Sequence, residues 1–134
     1  SDLFRFRGRV TLHLEIPDEM TSTRIVKLTL QPLIENAIQH GLAHVRSGGE
    51  IWIRGEKIDE AYYLYVSDNG KGVDDAELER LTKQLKDSAI TGNGHIGIRN
   101  VDQRMKLVFG EEYGLALSKA PEGGLRVTLH YKTI

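Results

Sequence analysis

At 134 residues the chain is long enough for one domain that buries a core without disulfides, and its 40% hydrophobic and 28% charged residues are those of an ordinary globular protein. A formal net charge of −1 gives no electrostatic case for a nucleic-acid or anionic-membrane partner, and the lack of cysteine excludes a disulfide scaffold and thiolate zinc sites. No apolar stretch approaches the ~20 residues of a membrane span and the start does not resemble a signal peptide, so the expectation is a cytoplasmic domain, one that a larger membrane protein could carry.

In chain order, Val10, Leu12, Leu14 and Ile16 alternate with Thr11, His13 and Glu15, the period of a strand with one buried face, which Pro17-Asp18 ends. From residue 29 to about 45, Leu33, Ile34, Ala37, Ile38, Leu42 and Val45 recur at helical spacing. Pro32 is expected in the first turn of that helix, where its missing N–H is not needed. Ser47-Gly48-Gly49 reads as a turn, followed by strands over 51–57 and 62–67 and a hairpin around 58–61. Residues 74–86 suit a charged helix with Leu78, Leu81 and Leu85 on one face, whereas 87–95 lack periodicity and read as a mobile loop. Ile98, Val101, Met105 and Val108 give a further amphipathic helix, starting near Ile98 and closed by Gly110. Strands over 114–119 and 125–131 finish the chain, the last with Leu125, Val127, Leu129 and Tyr131 inward. Hairpins among interleaved helices favour a mixed, mostly antiparallel sheet with helices on one face: a two-layer α/β sandwich.

Three segments carry chemistry. Asn36 lies at the edge of the helical stripe, and a carboxamide oxygen there can ligate Mg²⁺, a hard ion that keeps waters and phosphate oxygens around it. Taken alone, Asn36 reads rather as a buried amide bonded to backbone. His40 lies one turn further on; His40 and His44 have the i, i+4 spacing of a zinc pair, but no third ligand stands nearby in sequence. Asp68 ends an apolar strand before Asn69-Gly70-Lys71-Gly72. A carboxylate in that place can accept the exocyclic amine of adenine, which guanine lacks, while the glycines let backbone approach a base; the same run is also ordinary turn chemistry. Gly92-Asn93-Gly94-His95-Ile96-Gly97 opens directly into a helix, whose unpaired N–H groups and dipole suit phosphate. It fits neither a P-loop nor a dinucleotide fingerprint.

In this order and spacing the segments resemble the GHKL ATPases, and more narrowly the catalytic ATP-binding domain of sensor histidine kinases of the YesM/LytS type. Leu30–Gly41 is similar to that group's N box, Asp68–Gly72 to its G1 box, and Gly94–Val101 with Arg104 to its G2 box; Gly123–Leu129 is similar to the closing glycine-containing strand. The resemblance covers nearly the whole chain from about Phe4. It implies a Bergerat-type sandwich, with ATP held between helices and sheet under a flexible lid within 73–96. By position Asn36 would hold Mg²⁺, Asp68 would bind adenine, and Gly70 and Gly72 would shape the base pocket. Gly94, Gly97 and Ile98 would line the phosphates with His40 nearby, and Arg99, Asn100, Lys83 and Lys86 are further candidates for phosphate contact.

Three positions depart from the family pattern. Gln39 stands where many members carry lysine, Leu125 where a threonine hydroxyl often supports the adenine-binding carboxylate, and Pro32 where gyrase-like relatives place a water-activating glutamate. The last fits a kinase that keeps ATP for transfer; Glu35, the nearest carboxylate, is aimed away from Asn36. The resemblance implies donation of the γ-phosphate to a histidine on a separate dimerising helical domain, which passes it to a response-regulator receiver domain. Nothing here resembles that phosphoacceptor segment, since His13 and His130 lie on strands, so the acceptor is expected upstream in a membrane-anchored homodimeric parent. A GHKL serine kinase of the anti-sigma type and a non-catalytic nucleotide-binding module are the alternative readings.

Overall fold

The computed structural model describes residues 2–87 and 96–132. Six strands form one sheet in the order β1-β2-β3-β4-β6-β5, where β1 is Asp2–Phe6, β2 Val10–Glu15, β3 Gly49–Ile58, β4 Ala61–Asp68, β5 Gly114–Lys119 and β6 Leu125–Lys132. Only β2 and β3 run parallel; every other neighbouring pair is antiparallel. The sheet is thus mixed and mostly antiparallel, as the hairpins in the sequence indicate.

Alternation decides which face is covered. Val10 and Leu12 of β2, Ile51 and Ile53 of β3, Leu64 and Val66 of β4, and Val127, Leu129 and Tyr131 of β6 are all buried in one core with the helices. The intervening residues His13, Trp52, Tyr63, Tyr65 and His130 lie on the opposite face, where His13 stacks on Trp52 and Tyr63 on His130. The covering elements are a short α1 (Asp18–Thr21), α2 (Arg24–Asn36), a π-helical segment (Ala37–Gly41), α3 (Asp75–Lys86) and α4 (Ile96–Phe109).

Helix α2 departs from the sequence expectation at both ends. It begins five residues early because Thr23 caps it, its Oγ1 accepting the Val26 N–H at 3.3 Å, and because Val26 buries against the core. Pro32 is therefore interior, not in the first turn, and has no N–H to give the Leu28 carbonyl. At the other end the α-helix stops at Asn36 and the chain continues as a π turn, closed by the Leu42 N–H on the Ala37 carbonyl at 2.9 Å. Helix α3 follows expectation: Asp74 Oδ1 accepts the Glu77 N–H at 2.8 Å, and Leu81 and Leu85 are buried. In α4, Ile98, Val101 and Met105 reach the core, but Val108, expected on the same stripe, stays 60% exposed. Strand β1 has no counterpart among the expected elements; it is joined to β2 by a turn in which Arg7 and Gly8 take φ of 54° and 74°.

Candidate functional site

Asp68, the last residue of β4, organises the site. It lies opposite Ile51 and is 3% exposed. Its Oδ1 accepts the Gly70 N–H at 2.8 Å and the Leu125 N–H at 3.4 Å, and its backbone carbonyl accepts the Gly124 N–H at 3.0 Å. Oδ2 accepts no hydrogen bond from the described residues. Burial pushes the Asp68 carboxyl up from its ordinary range, the Gly70 and Leu125 N–H groups oppose that, and the charge of Glu122 adds to it.

The loop after Asp68 is bolted down by its neighbour. Asn69 Oδ1 accepts the Glu50 N–H at 2.9 Å while Asn69 Nδ2 donates to the Gly48 carbonyl at 3.0 Å, so the turn is fixed to the start of β3. Around the carboxylate the chain leaves no room for side chains. A Cβ at Gly41 or Gly124 would run into the Asp68 carboxylate, one at Gly70 into the Gly41 carbonyl, and one at Gly72, where φ is +71°, into the Gly123 carbonyl. The π turn brings Gly41 into this group. Gly41 and Gly124 were not singled out as site residues in the sequence; the Gly-Gly pair at 123–124 and the glycine directly after His40 were the available signals. A cleft of about 230 Å³ opens here, lined by His40, Gly41, Gly72, Arg80, Leu81 and Leu125 among others.

The structure therefore brings together Asp68, Gly70 and Gly72 of one segment and His40 of another. Asn36 stands at the end of α2 and is 7% exposed. At the start of α4, Gly97 and Asn100 are exposed, Arg99 is buried, and the Ile98 side chain sits in the core, leaving only its backbone to meet a ligand. Gly94 lies outside the described residues, as does most of the expected loop before α4; α3 occupies the first half of the expected lid. Lys86, a candidate phosphate contact, is engaged elsewhere: its ammonium donates to Asp102 Oδ1 at 2.9 Å and to the Leu115 carbonyl at 2.5 Å. Glu35 is held on the outer side of α2 by Arg7 at 2.9 Å and Gln31 at 3.3 Å.

A helix-covered sheet with a buried carboxylate at a strand end, packed among glycines beside a cleft, is the arrangement of a nucleotide-binding sandwich. Comparison narrows the class: the model of the family "Histidine kinase-, DNA gyrase B-, and HSP90-like ATPase" matches residues 21–133, and the chain belongs to that family. It is 39% identical over 126 residues to the sensor histidine kinase YesM of Bacillus subtilis (strain 168), covering 94% of this chain and 20% of YesM. It is 33% identical over 122 residues to the sensor protein LytS of Oceanobacillus iheyensis, covering 90% of this chain and 21% of LytS. The chain thus spans about a fifth of the length of these relatives. Among solved structures, the nucleotide-free catalytic domain of the histidine kinase ThkA superimposes with a TM-score of 0.68 at 17% identity, over 92% of this chain and 80% of that one, a likeness of fold. The histidine-kinase-type ATPase sandwich expected from the sequence is the fold observed.

Proposed function

We propose that this domain binds Mg-ATP in the Asp68 cleft and presents the γ-phosphate to a histidine on a separate helical phosphoacceptor domain, from which a response-regulator aspartate receives it. One observation carries the reading: a buried carboxylate with one oxygen fixed by two backbone N–H groups and the other accepting none among the described residues, beside Gly41, which lines the cleft. Oδ2 accepts the exocyclic amine of adenine; Gly70 and Gly72 let the ring lie against the main chain. Gly94 and Gly97, with the N–H groups that open α4 at Ile98, Arg99 and Asn100, take the phosphates, and His40 approaches them from the π turn.

The donor set fits Mg²⁺ only in company with the nucleotide. Among the described residues no three His, Asp or Glu side chains gather to hold a metal, so Asn36 would offer one oxygen and the phosphates and water the rest. Bound there, the ion would neutralise charge on the β- and γ-phosphates. The protein's own part is positioning, which is most of what phosphoryl transfer asks of an enzyme. Glu35, tied to Arg7, is not placed to activate water, which favours transfer over hydrolysis.

Calorimetric titration tests this. ATP and ADP should bind, GTP should bind far more weakly, and Asn36→Ala should remove the Mg²⁺ dependence of ATP affinity. No ATP binding, or equal affinity for GTP, would overturn the assignment. In the parent protein, labelled ATP should leave acid-labile, base-stable label, the mark of phosphohistidine.

A further inference from the structure

Arg80 carries no motif in the sequence, yet it lines the cleft beside Asp68 together with Glu77, Leu81 and Leu125. Helix α3 holds that turn in place from other sides. Asp74 caps the helix, Asp75 Oδ1 takes Lys119 of β5 at 2.6 Å, and Leu81 and Leu85 are buried. The Arg80 side chain is 54% exposed, so α3 does not depend on it for anchorage.

The Arg80 guanidinium is fixed by its edge. Nε donates to Glu77 Oε2 at 2.9 Å and one terminal nitrogen to Glu77 Oε1 at 2.5 Å, a fork whose two bonds lie in the guanidinium plane. The cation–π contacts among the described residues belong to Arg7, Arg54 and Arg126, so no ring there covers the Arg80 plane.

Charge and position decide what such a group can hold. The Glu77 carboxylate lines the same cleft and neutralises the guanidinium, which makes the pair a poor anion site. Gly97 and Asn100, assigned above to phosphate, line instead a groove of about 820 Å³ between α2 and α4. The cleft that Arg80 lines takes in Gly41, packed against the Asp68 carboxylate, so Arg80 stands at the base end. What the bonded fork keeps is a flat, weakly hydrated cationic face, and such faces stack on aromatic rings.

We propose that Arg80 lays its guanidinium on the open face of the adenine held by Asp68, and that Glu77 is the positioning residue that keeps the plane aligned. This rests on the function proposed above. It assigns the Arg80 turn of α3 to the base rather than to the phosphates, and a plane held by Glu77 before the nucleotide arrives loses little freedom on stacking.

Calorimetry with ATP and adenosine on the same variants separates a base contact from a phosphate contact. Arg80→Ala should weaken both ligands by about three- to thirtyfold, and by the same factor. Arg80→Lys keeps the charge but not the plane, and should restore neither affinity. Glu77→Ala should weaken both ligands less, and should add nothing in a chain that already carries Arg80→Ala; a merely structural role for Glu77 would add its full effect there. The pair is exposed, so melting temperatures should stay within about 2 °C of the unsubstituted chain. Loss of ATP affinity with adenosine unchanged, or recovery in Arg80→Lys, would make Arg80 a phosphate contact and overturn the proposal. Unaltered affinities in Arg80→Ala would overturn it too, with the Asp68 site left standing. No ATP binding by the unsubstituted chain would overturn both this proposal and the function beneath it.

Discussion

The two openings of this molecule are made of opposite materials. The surroundings of the Asp68 carboxylate, beside the smaller cleft, are built from main chain: Gly41, Gly70, Gly72 and Gly124 pack so closely that a methyl group has nowhere to go. The groove between α2 and α4 is walled by Leu28, Pro32, Met105 and Val108, side chains that can shift and refill space. A backbone-built site tolerates change in an all-or-none way, because its shape is held by hydrogen bonds that cannot adjust one at a time. A side-chain-built surface responds by degrees.

The largest effect should come from Gly70→Ala. The new Cβ would meet the Gly41 carbonyl, with Asp68 Oδ1 at 3.0 Å, and neither is a flexible side-chain tip that can swing aside. ATP binding should vanish by calorimetry, whereas Val108→Ala in the groove should leave it unchanged. Wild-type affinity in Gly70→Ala would break the contrast between the openings.

Asp68→Asn should come next. It keeps an oxygen for the Gly70 and Leu125 N–H groups but replaces the acceptor facing the cleft, and losing a charge-assisted hydrogen bond should weaken ATP by roughly 10- to 100-fold. The sign of its pH effect follows from burial. With its folded pKa raised above the unfolded value, Asp68 holds a proton in the native state that the unfolded chain has released. Stability from this group is therefore full below the ordinary carboxylate range and lost as pH rises through the raised value. Asp68→Asn should remove that decline and melt no lower than the parent above it. ATP affinity should fall as pH drops into the raised range, earlier than for an exposed carboxylate. A pH-independent affinity would show that Asp68 does not meet the base.

Asp102 sharpens the comparison from behind. It is 2% exposed on α4, takes Lys86 at 2.9 Å and the Leu115 N–H at 2.8 Å, and ties the ends of α3 and β5 to the helix that borders the larger groove. Asp102→Ala should cost about 2 kcal/mol, near the low end for a buried partner because the Lys86 side chain is 39% exposed and can turn to water. Urea unfolding should show it, with Asp102→Asn milder. An unchanged midpoint would mean the node carries no stability.

What the sequence made legible follows the same division. Strand alternation and the apolar faces of α3 and α4 were readable because period and burial coincide; Asn36 stands at a helix end and Asp68 at a strand end, while most of the glycine-rich run at 92–97 lies outside the described residues. Asp68, Gly70 and Gly72 are adjacent in sequence and so readable together. The approach of Gly41 and Gly124 to Asp68 was not, because it depends on a π turn and on the register of β4 against β6, neither of which has a local signal. Strand β1 escaped because its residues are mostly exposed and carry no alternation, and its Arg7-Gly8 turn lacks the usual Asn-Gly or Asp-Gly mark. The start of α2 was misplaced because Pro32 reads as a first-turn residue, although Thr23 holds the stronger cap. Lys86 looked like a phosphate ligand on charge alone; its partner Asp102 is 16 residues away on another helix.

Gly97→Ala should give the smallest effect and the most localised one. Gly97 is exposed, a Cβ there meets nothing within 4 Å, and it stands in the first turn of α4. Alanine is the better helix former, by up to ~1 kcal/mol in a helix interior and less in an end turn, so the melting temperature should hold or rise slightly. If phosphate lies directly on that backbone, the added methyl should weaken ATP several-fold while leaving adenosine untouched. Equal affinity of both ligands for Gly97→Ala and the parent would move the phosphates off this turn. Asp68 would still keep the base.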